Sequence, residues 1–517
     1  MLNFLPPKDL GVQIFDGSVG NACSIKVVML VGMYLFISPM FSQELSPSPF
    51  GDSILWKGLH PHLTILCADS LEGREAGTIG EIRAATYLER TFESMGLIPP
   101  VLTEEGDSSF RQEILIESRK IQNGWLKGKG KRWDHLQDIV FWAGSTKGRK
   151  LSLTVCYLGS GNEAAYKDQR IKGKLVLIQC KISEIPERVL LAKEKGAAGC
   201  LVVTAASQES FDGQLRMFAL RSRNPEYRLS STQTALRNFP VVAIPPDIAA
   251  KILNISVGKW HKGDISPKKD GLKIQLFIEQ DKIKVPAYNI LAYIPGSERP
   301  EEVIVLSAHY DHLGMRRGKI HPGADDNAAG VSALLEIARA FKRAEAAGYR
   351  PRRSLLFFAC TAEEKGLLGS RYYSKHPVFP LEQTLANLNM DMIGHVDDDH
   401  QDTPRFVSIV GSNWLSSELH AIHEQANSLF VQLELDYTYN SKKHPERFYY
   451  RSDQYNFARH GIPVIFYTSG DHEDYHQPSD IVKHLSKDRL EGVARLIFYT
   501  AWELAFREQA ISVDLDP

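Results

Sequence analysis

The sequence predicts an α/β protein whose central sheet is mixed, largely parallel and flanked by helices, with an inserted region of mainly β and α+β character. Two observations predict this fold. From Tyr288 onward, short apolar runs typical of buried strands alternate with helical patterns, as in proteins built around a parallel sheet. Between residues 120 and 283 the apolar runs are short and β-rich, which indicates a separate region.

Each element follows from a local pattern. Ahead of the inserted region, Ala85, Leu88 and Phe92 recur at helical spacing and Gly96 suits a helix end, which predicts a helix over 80–95. The inserted region carries β-type runs and one intervening helix, at 151–157, 175–179, 186–195 (the helix), 200–204 and 241–244. The last part carries buried-type strands at 303–306, 355–359 and 463–466, a helix with Val331, Leu334, Leu335 and Ala338 on one face, and a closing helix lined by Leu490, Val493, Ile497 and Leu504.

Composition bounds the function. The chain has 517 residues, of which 43% are hydrophobic, so it can bury a large core and is not a disordered chain. Lys and Arg total 61 and Asp and Glu total 62, a balance that predicts neither a nucleic-acid partner nor a polybasic membrane surface. The six cysteines form no CxxC pair, so we expect small buried side chains rather than a thiolate metal site.

The first 44 residues read as a leader. Residues 27–41 form an apolar run after Lys26, shorter than the roughly 20 residues of a membrane span. The run suits the core of a secretory signal with Ser42 near a cleavage point, which predicts a secreted or periplasmic protein. Translation starting near Met29 and an uncleaved anchor remain alternatives, and only the anchor would place the protein at a membrane.

Polar residues fall where the buried strands of the last part end. His309, Glu364 and Asp391 each follow such a strand, and ligands bind beyond the carboxyl ends of strands in open α/β sheets. With Asp326 and His476 they form a set of imidazoles and carboxylates without thiolates, which favours zinc. Two Zn²⁺ ions would bring four positive charges against the three negative charges of Asp326, Glu364 and Asp391, and this balance favours two ions.

The neighbouring glutamates Glu363 and Glu364 can take different roles at a metal site. One of them can bind metal while the other takes the proton of the attacking water. Asp325 precedes Asp326 just before a predicted helix, and one of these two carboxylates could simply cap that helix.

Five motifs carry a resemblance to a known family. The segments HYDH, PGADDNAAG, TAEEKGLLGS, NMDMIG and YHQPSD, in this order, are similar to those of the family-28 metallopeptidases of the aminopeptidase Y type. The resemblance covers about 50–118 and 284–510 and implies the zinc exopeptidase fold. The stretch between resembles a protease-associated domain. The whole resemblance implies four parts of the chain: a leader (1–44), the N-terminal part of the peptidase domain (45–119), the inserted domain (120–283) and the catalytic part (284–517).

The resemblance implies a role for each site residue. Asp326 would bridge two zinc ions, His309 and Asp391 would complete one site, and Glu364 and His476 the other. Glu363 would be the general base and then the proton donor to the leaving amine. Asp311 would orient His309, and Tyr475 would hydrogen-bond the developing oxyanion.

Four nearby polar residues receive other expectations. His312 is expected in the wall of the loop rather than among the ligands. In the HxxxH spacing of His472 and His476, the flanking glycine and proline argue against a helix, so His476 alone is predicted as a ligand. Asp453 would shape the substrate pocket or form a salt bridge. Asp480 would support His476 or cap the following helix.

The predicted function is a secreted di-zinc aminopeptidase that hydrolyses N-terminal peptide bonds by a metal-activated hydroxide, with peptide or protein N-termini as substrates. A carboxypeptidase for acidic C-terminal residues shares the motifs and would want basic side chains in its pocket; Arg316, Arg317 and Arg451 are candidates. A single-zinc glutaminyl cyclase fits less well with a complete ligand set. A receptor-like binding protein is opposed by the presence of every ligand and of Glu363.

Overall fold

The computed structural model describes residues 46–167, 170–221, 225–230, 236, 238–263, 265 and 270–515. The predicted leader and Cys23 lie outside these residues. The strands are β1 (Val101–Leu102), β2 (Ser108–Ser109), β3 (Arg111–Gly128), β4 (Lys131–Asp134), β5 (Val140–Ala143), β6 (Leu151–Tyr157), β7 (Leu175–Gln179), β8 (Gly199–Val203), β9 (Glu226–Leu229), β10 (Val241–Ala243), β11 (Asp270–Ile294), β12 (Arg299–His309), β13 (Gly314–Arg316), β14 (Lys319–His321), β15 (Arg353–Cys360), β16 (Thr384–Met390), β17 (Phe406–Val410), β18 (Glu434–Asp436) and β19 (Val464–Thr468).

Helices surround these strands, and the described stretches bound them as follows: α1 (Ser48–Gly51), α2 (Trp56–Leu66), α3 (Ile79–Ser94), α4 (Ile185–Glu194), α5 (Gln208–Arg221), α6 (Pro246–Leu253), α7 (Val257–His261), α8 (Gly330–Ala346), α9 (Leu368–Tyr373), α10 (Ser417–Ala426), α11 (Tyr455–Ala458) and α12 (Lys487–Phe506). None of the described helices combines the length and the apolar character needed to cross a membrane.

The last part of the chain, from β11 onward, contributes the order β18-β17-β19-β16-β12-β15-β11 to one large sheet. Its four middle strands, β19, β16, β12 and β15, run parallel to one another, while β17 and β11 pair antiparallel beside them. All eight residues of β15 are buried, as expected for a strand covered on both faces. This arrangement confirms the predicted mixed, largely parallel sheet.

Helices cover both faces of this sheet. The apolar stripe of α8 packs with α12 on one face, in a core that includes Val331, Leu334 and Phe498. Phe358 of β15 and Phe457 of α11 lie in a separate core on the other side of the strands. The predicted stripe and the closing helix are therefore both present, and they anchor the central strands.

The inserted region extends the same sheet. Its strands β6, β7, β8 and β10 run parallel, with β5 antiparallel at the edge, and α4 connects β7 to β8 as the sequence predicts. The long strands β3 and β11 pair from Arg111–Ile290 to Lys127–Gln275. The predicted boundaries at 119/120 and 283/284 fall inside these two strands. The division into domains remains a prediction.

Candidate metal centre

Four neighbouring strands end at one edge of the sheet. His309 is the last residue of β12, Asp391 directly follows β16, and Glu364 lies four residues beyond β15. His476 lies in the loop after β19. Because these four strands are parallel neighbours, their carboxyl ends meet, and side chains separated by up to 167 positions come into contact.

Two groups of ligand-type atoms form at this edge. In the first, the Nε2 atom of His309 lies 3.1 Å from Asp391 Oδ1 and 3.2 Å from Asp326 Oδ1. In the second, the Nε2 atom of His476 lies 3.2 Å from both Asp326 Oδ2 and Glu364 Oε2. The carboxylate of Asp326 therefore faces both groups, one oxygen toward each.

His312 lies in the second group, contrary to the expected position in the loop wall. Its Nδ1 atom is 2.9 Å from Glu364 Oε1 and 3.6 Å from Asp326 Oδ2, and its side chain is fully buried. Neither His312 Nδ1 nor Glu364 Oε1 has a hydrogen-bond partner, so the short distance is not accompanied by hydrogen-bond geometry. Sequence reasoning set His312 aside because it follows His309 so closely, although the strand ends at His309 and His312 lies beyond it.

The charges of the cluster favour a cation. Burial by itself raises the pKa of Asp326, but the imidazoles of His312 and His309 hold it well below its usual range. Burial lowers the pKa of His476, yet hydrogen bonds to Asp326 and Glu364 raise it to about 10. The carboxylates thus draw positive charge into a buried space. A divalent ion would supply that charge, and the imidazole and carboxylate donors with unpartnered buried atoms fit one.

The turn that holds Asp326 is fixed from outside. The carboxylate of Asp480 accepts hydrogen bonds from the backbone N–H groups of Asp325 and Asp326, at 2.8 and 3.1 Å. Asp480 therefore supports the shared carboxylate, rather than His476 or the following helix as expected. Gly323, at a φ of 59°, permits the turn, since a Cβ there would lie 2.2 Å from the Asp326 carbonyl oxygen.

A buried arginine that sequence analysis did not single out connects two of these loops. The Arg74 guanidinium donates to the carbonyl oxygens of Tyr310, Pro322 and Gly323, at 2.8, 2.6 and 2.9 Å. It is completely buried. Tyr310 follows His309, and the other two carbonyls precede Asp326, so one cation ties both ligand loops. The available signal was an arginine between glycines, in the segment EGREAG.

The predicted general base lies beside the cluster without joining either ligand group. Burial raises the pKa of Glu363 well above its usual range, and the carboxylates of Glu364 and Asp391 raise it further. The backbone N–H of Glu363 donates to Asp311 Oδ1 at 3.0 Å. A carboxyl group with a raised pKa can take and return a proton near neutral pH.

Asp311 contacts His309 differently from the expectation. His309 Nδ1 lies 3.1 Å from the Asp311 backbone carbonyl oxygen and 3.9 Å from the Asp311 carboxylate. The carbonyl therefore orients the ring, because it is the nearer acceptor. The carboxylate instead holds the backbone of Glu363, so Asp311 links the first ligand to the predicted base.

Two aspartates beside the cluster have structural partners. Asp325 accepts hydrogen bonds from the Gly394 N–H, at 2.6 Å, and lies 3.1 Å from His472 Nε2, so it ties loops together and does not cap α8. His472 is therefore occupied away from both ligand groups, in a loop without a helix. Asp453 is buried and accepts a hydrogen bond from Ser370, so its observed partner is a hydroxyl group rather than the cation of a salt bridge.

A small cleft opens beside the cluster. Asp326, Glu363, Asp391 and Tyr475 all line it. The Tyr475 ring stacks on the ring of His476, with centroids 3.8 Å apart. Tyr475 thus lies near the predicted base and within the same cleft as the ligand-type atoms.

Comparison with known proteins gives one family match, in the last part of the chain. Residues 289–501 match the family model described as Peptidase family M28. Aminopeptidase YwaD of Bacillus subtilis is 26% identical over 281 residues, which make up 52% of this chain and 56% of that protein. Transferrin receptor protein 2 of Rattus norvegicus is 27% identical over 263 residues, 45% of this chain and 31% of that protein.

One solved structure resembles the whole arrangement. The aminopeptidase from Aneurinibacillus sp. strain AM-1 superposes with a TM-score of 0.54 at 17% identity, over 91% of this chain and 98% of that chain. At this identity the likeness concerns the fold. The chain spans between about a third and a little over half of the curated relatives named above.

Proposed function

Because residues 289–501 match the model of Peptidase family M28, we propose that the protein is a two-zinc aminopeptidase that removes residues from peptide N-termini. One observation carries the proposal. Asp326 faces two separate groups of imidazole and carboxylate atoms through its two oxygens, with Glu363 beside them in one cleft. This arrangement suits two metal ions, a substrate carbonyl and a base in one place.

The chain's residues divide the work as follows. His309, Asp326 and Asp391 would hold one ion, and Asp326, Glu364 and His476 the other, with His312 as a further candidate ligand in that second group. Two bound zinc ions would polarise the scissile carbonyl and acidify a water molecule. Glu363 would take the proton of that water and return it to the leaving amine, and the Tyr475 hydroxyl would donate a hydrogen bond to the developing oxyanion.

Charge around the cleft favours an N-terminal over a C-terminal substrate group. Asp391 lines it on the ligand side, and its negative charge would attract a substrate ammonium group. Of the three candidates for binding a terminal carboxylate, Arg316 and Arg451 are paired with Glu75 and Asp471, and Arg317 does not line the cleft. A carboxypeptidase would need such a cation unpaired, so the aminopeptidase is the better proposal.

Peptide digestion tests the direction of trimming. The zinc-loaded chain is incubated with one peptide in two forms, free and N-acetylated, and products are followed by mass spectrometry. We expect stepwise loss from the N-terminus of the free form only. Trimming of both forms from the C-terminus would establish the carboxypeptidase. No cleavage, or cyclisation of an N-terminal glutamine without hydrolysis, would refute a peptidase function.

Metal content and export need their own measurements. We propose two zinc ions per chain, which elemental analysis of the purified protein tests, and a stoichiometry of one would favour the single-zinc alternative. We also propose that residues 1–44 direct export. N-terminal sequencing of exported protein would show a start near Ser42 if the leader is cleaved, whereas membrane-bound protein with an intact leader would indicate an anchor.

A further inference from the structure

The cleft beside the candidate metal centre has walls of two kinds. Met392, Phe448 and Phe466 supply apolar surface next to the ligand-type residues. Arg451 and Asp471 supply the outer wall, where their side chains are 31% and 43% exposed.

Arg451 and Asp471 hold each other in a two-pronged pair. Arg451 Nη1 donates to Asp471 Oδ2 at 3.2 Å, and Nη2 donates to Asp471 Oδ1 at 3.0 Å. The guanidinium also lies over the Phe448 ring, 4.5 Å from its centroid. A second carboxylate, that of Glu446, is 3.8 Å away and more exposed. Asp471 is therefore the principal partner of this cation.

Within the pair the two charges cancel, and the carboxylate of Glu446 lies farther from Arg451. The donors that an acidic substrate side chain would need are already directed at Asp471. A lysine or arginine side chain would find the Asp471 carboxylate occupied in the same way and would meet the Arg451 cation. A leucine or methionine side chain would lose nothing at this wall and would gain contact with the three apolar residues.

We infer that the Arg451–Asp471 pair selects N-terminal residues with uncharged side chains, and that each member prevents its partner from binding a charged substrate. The inference rests on the proposed aminopeptidase function and names its substrate class. It makes Arg451 and Asp471 specificity-determining residues with opposite effects: removal of one charge exposes the other.

The test compares kcat/KM for leucyl, glutamyl and lysyl p-nitroanilides on the zinc-loaded full chain and its variants. Asp471→Asn should raise the glutamyl-to-leucyl ratio by about 10- to 100-fold, the range for a hydrogen bond to a charged group. Arg451→Gln should raise the lysyl-to-leucyl ratio, and the double variant should lose both gains. Glu446→Gln should change the glutamyl ratio less than Asp471→Asn.

A matched control comes from the inserted region. Asp270 pairs with Lys174 at 2.8 Å on the surface, outside the cleft, so Asp270→Asn should leave all three rates unchanged. Should Asp471→Asn fail to fold by circular dichroism, Asp471→Ser removes the same carboxylate. If the wild type hydrolyses the leucyl substrate but either ratio changes less than threefold in its variant, the inference is wrong while the proposed function stands. Absence of hydrolysis of any substrate by the wild type would refute the proposed function and the inference with it.

Discussion

Replacing Glu363 with glutamine removes the predicted base while keeping the shape of its side chain. Glu363 lies in neither ligand group, and its contact with Asp311 is made by its backbone N–H, which glutamine retains. General-base catalysis contributes about 10²- to 10⁴-fold, or about 2.7–5.4 kcal/mol of barrier at 1.36 kcal/mol per tenfold. We therefore expect kcat to fall by at least about 100-fold, with zinc content unchanged.

The assay measures kcat on leucyl p-nitroanilide and zinc by elemental analysis on the same preparation. Glu363→Ala should behave likewise, and Glu298→Gln, in a surface pair with Arg352, should match the wild type in both measurements. A Glu363→Gln enzyme that keeps kcat within tenfold of the wild type would refute the assignment of the base. Loss of zinc together with activity would show instead that Glu363 acts as a ligand.

Three further predictions concern the support of the site and the fold. Asp480→Asn keeps one acceptor for two backbone N–H groups, so the turn that holds Asp326 should loosen. Chelator competition should then show at least about tenfold weaker zinc binding. An unchanged zinc affinity would refute this role of Asp480. Arg74→Ala leaves buried carbonyl oxygens without a donor, and urea unfolding should show a loss of at least about 3 kcal/mol, with partial recovery in Arg74→Lys. Burial lowers the pKa of His423 to about 3, below the 6.5 of a free imidazole, so on acidification the unfolded chain takes up the proton first. The free energy of unfolding is therefore unaffected by this group above pH 6.5 and falls by about 4 kcal/mol at pH 3.5. His423→Gln should flatten that acid limb of the stability curve, and an unchanged limb would show that other groups cause it.

Local patterns carried most of the fold. The predicted helix over 80–95 is found at Ile79–Ser94, and the predicted strands 151–157 and 175–179 coincide with the observed ones. These elements are predictable because apolar periodicity reports directly which face is buried. The boundaries of the inserted region were harder to place, since β3 and β11 cross them without a break and a pairing between distant strands leaves no local signal.

The five motifs by themselves determined which residues assemble at the strand ends: His309, Asp326, Glu364, Asp391 and His476, with Glu363 beside them. They could do so because parallel strands bring their carboxyl ends to one edge whatever their separation in sequence. Only the tertiary structure decided the contacts that depend on side-chain direction. It placed His312 against Glu364, gave the carboxylate of Asp480 to the turn of Asp326, and buried Arg74 between two loops. Hydrogen bonds of this kind join residues up to 249 positions apart and follow from the packing of loops, whose geometry no periodic pattern encodes.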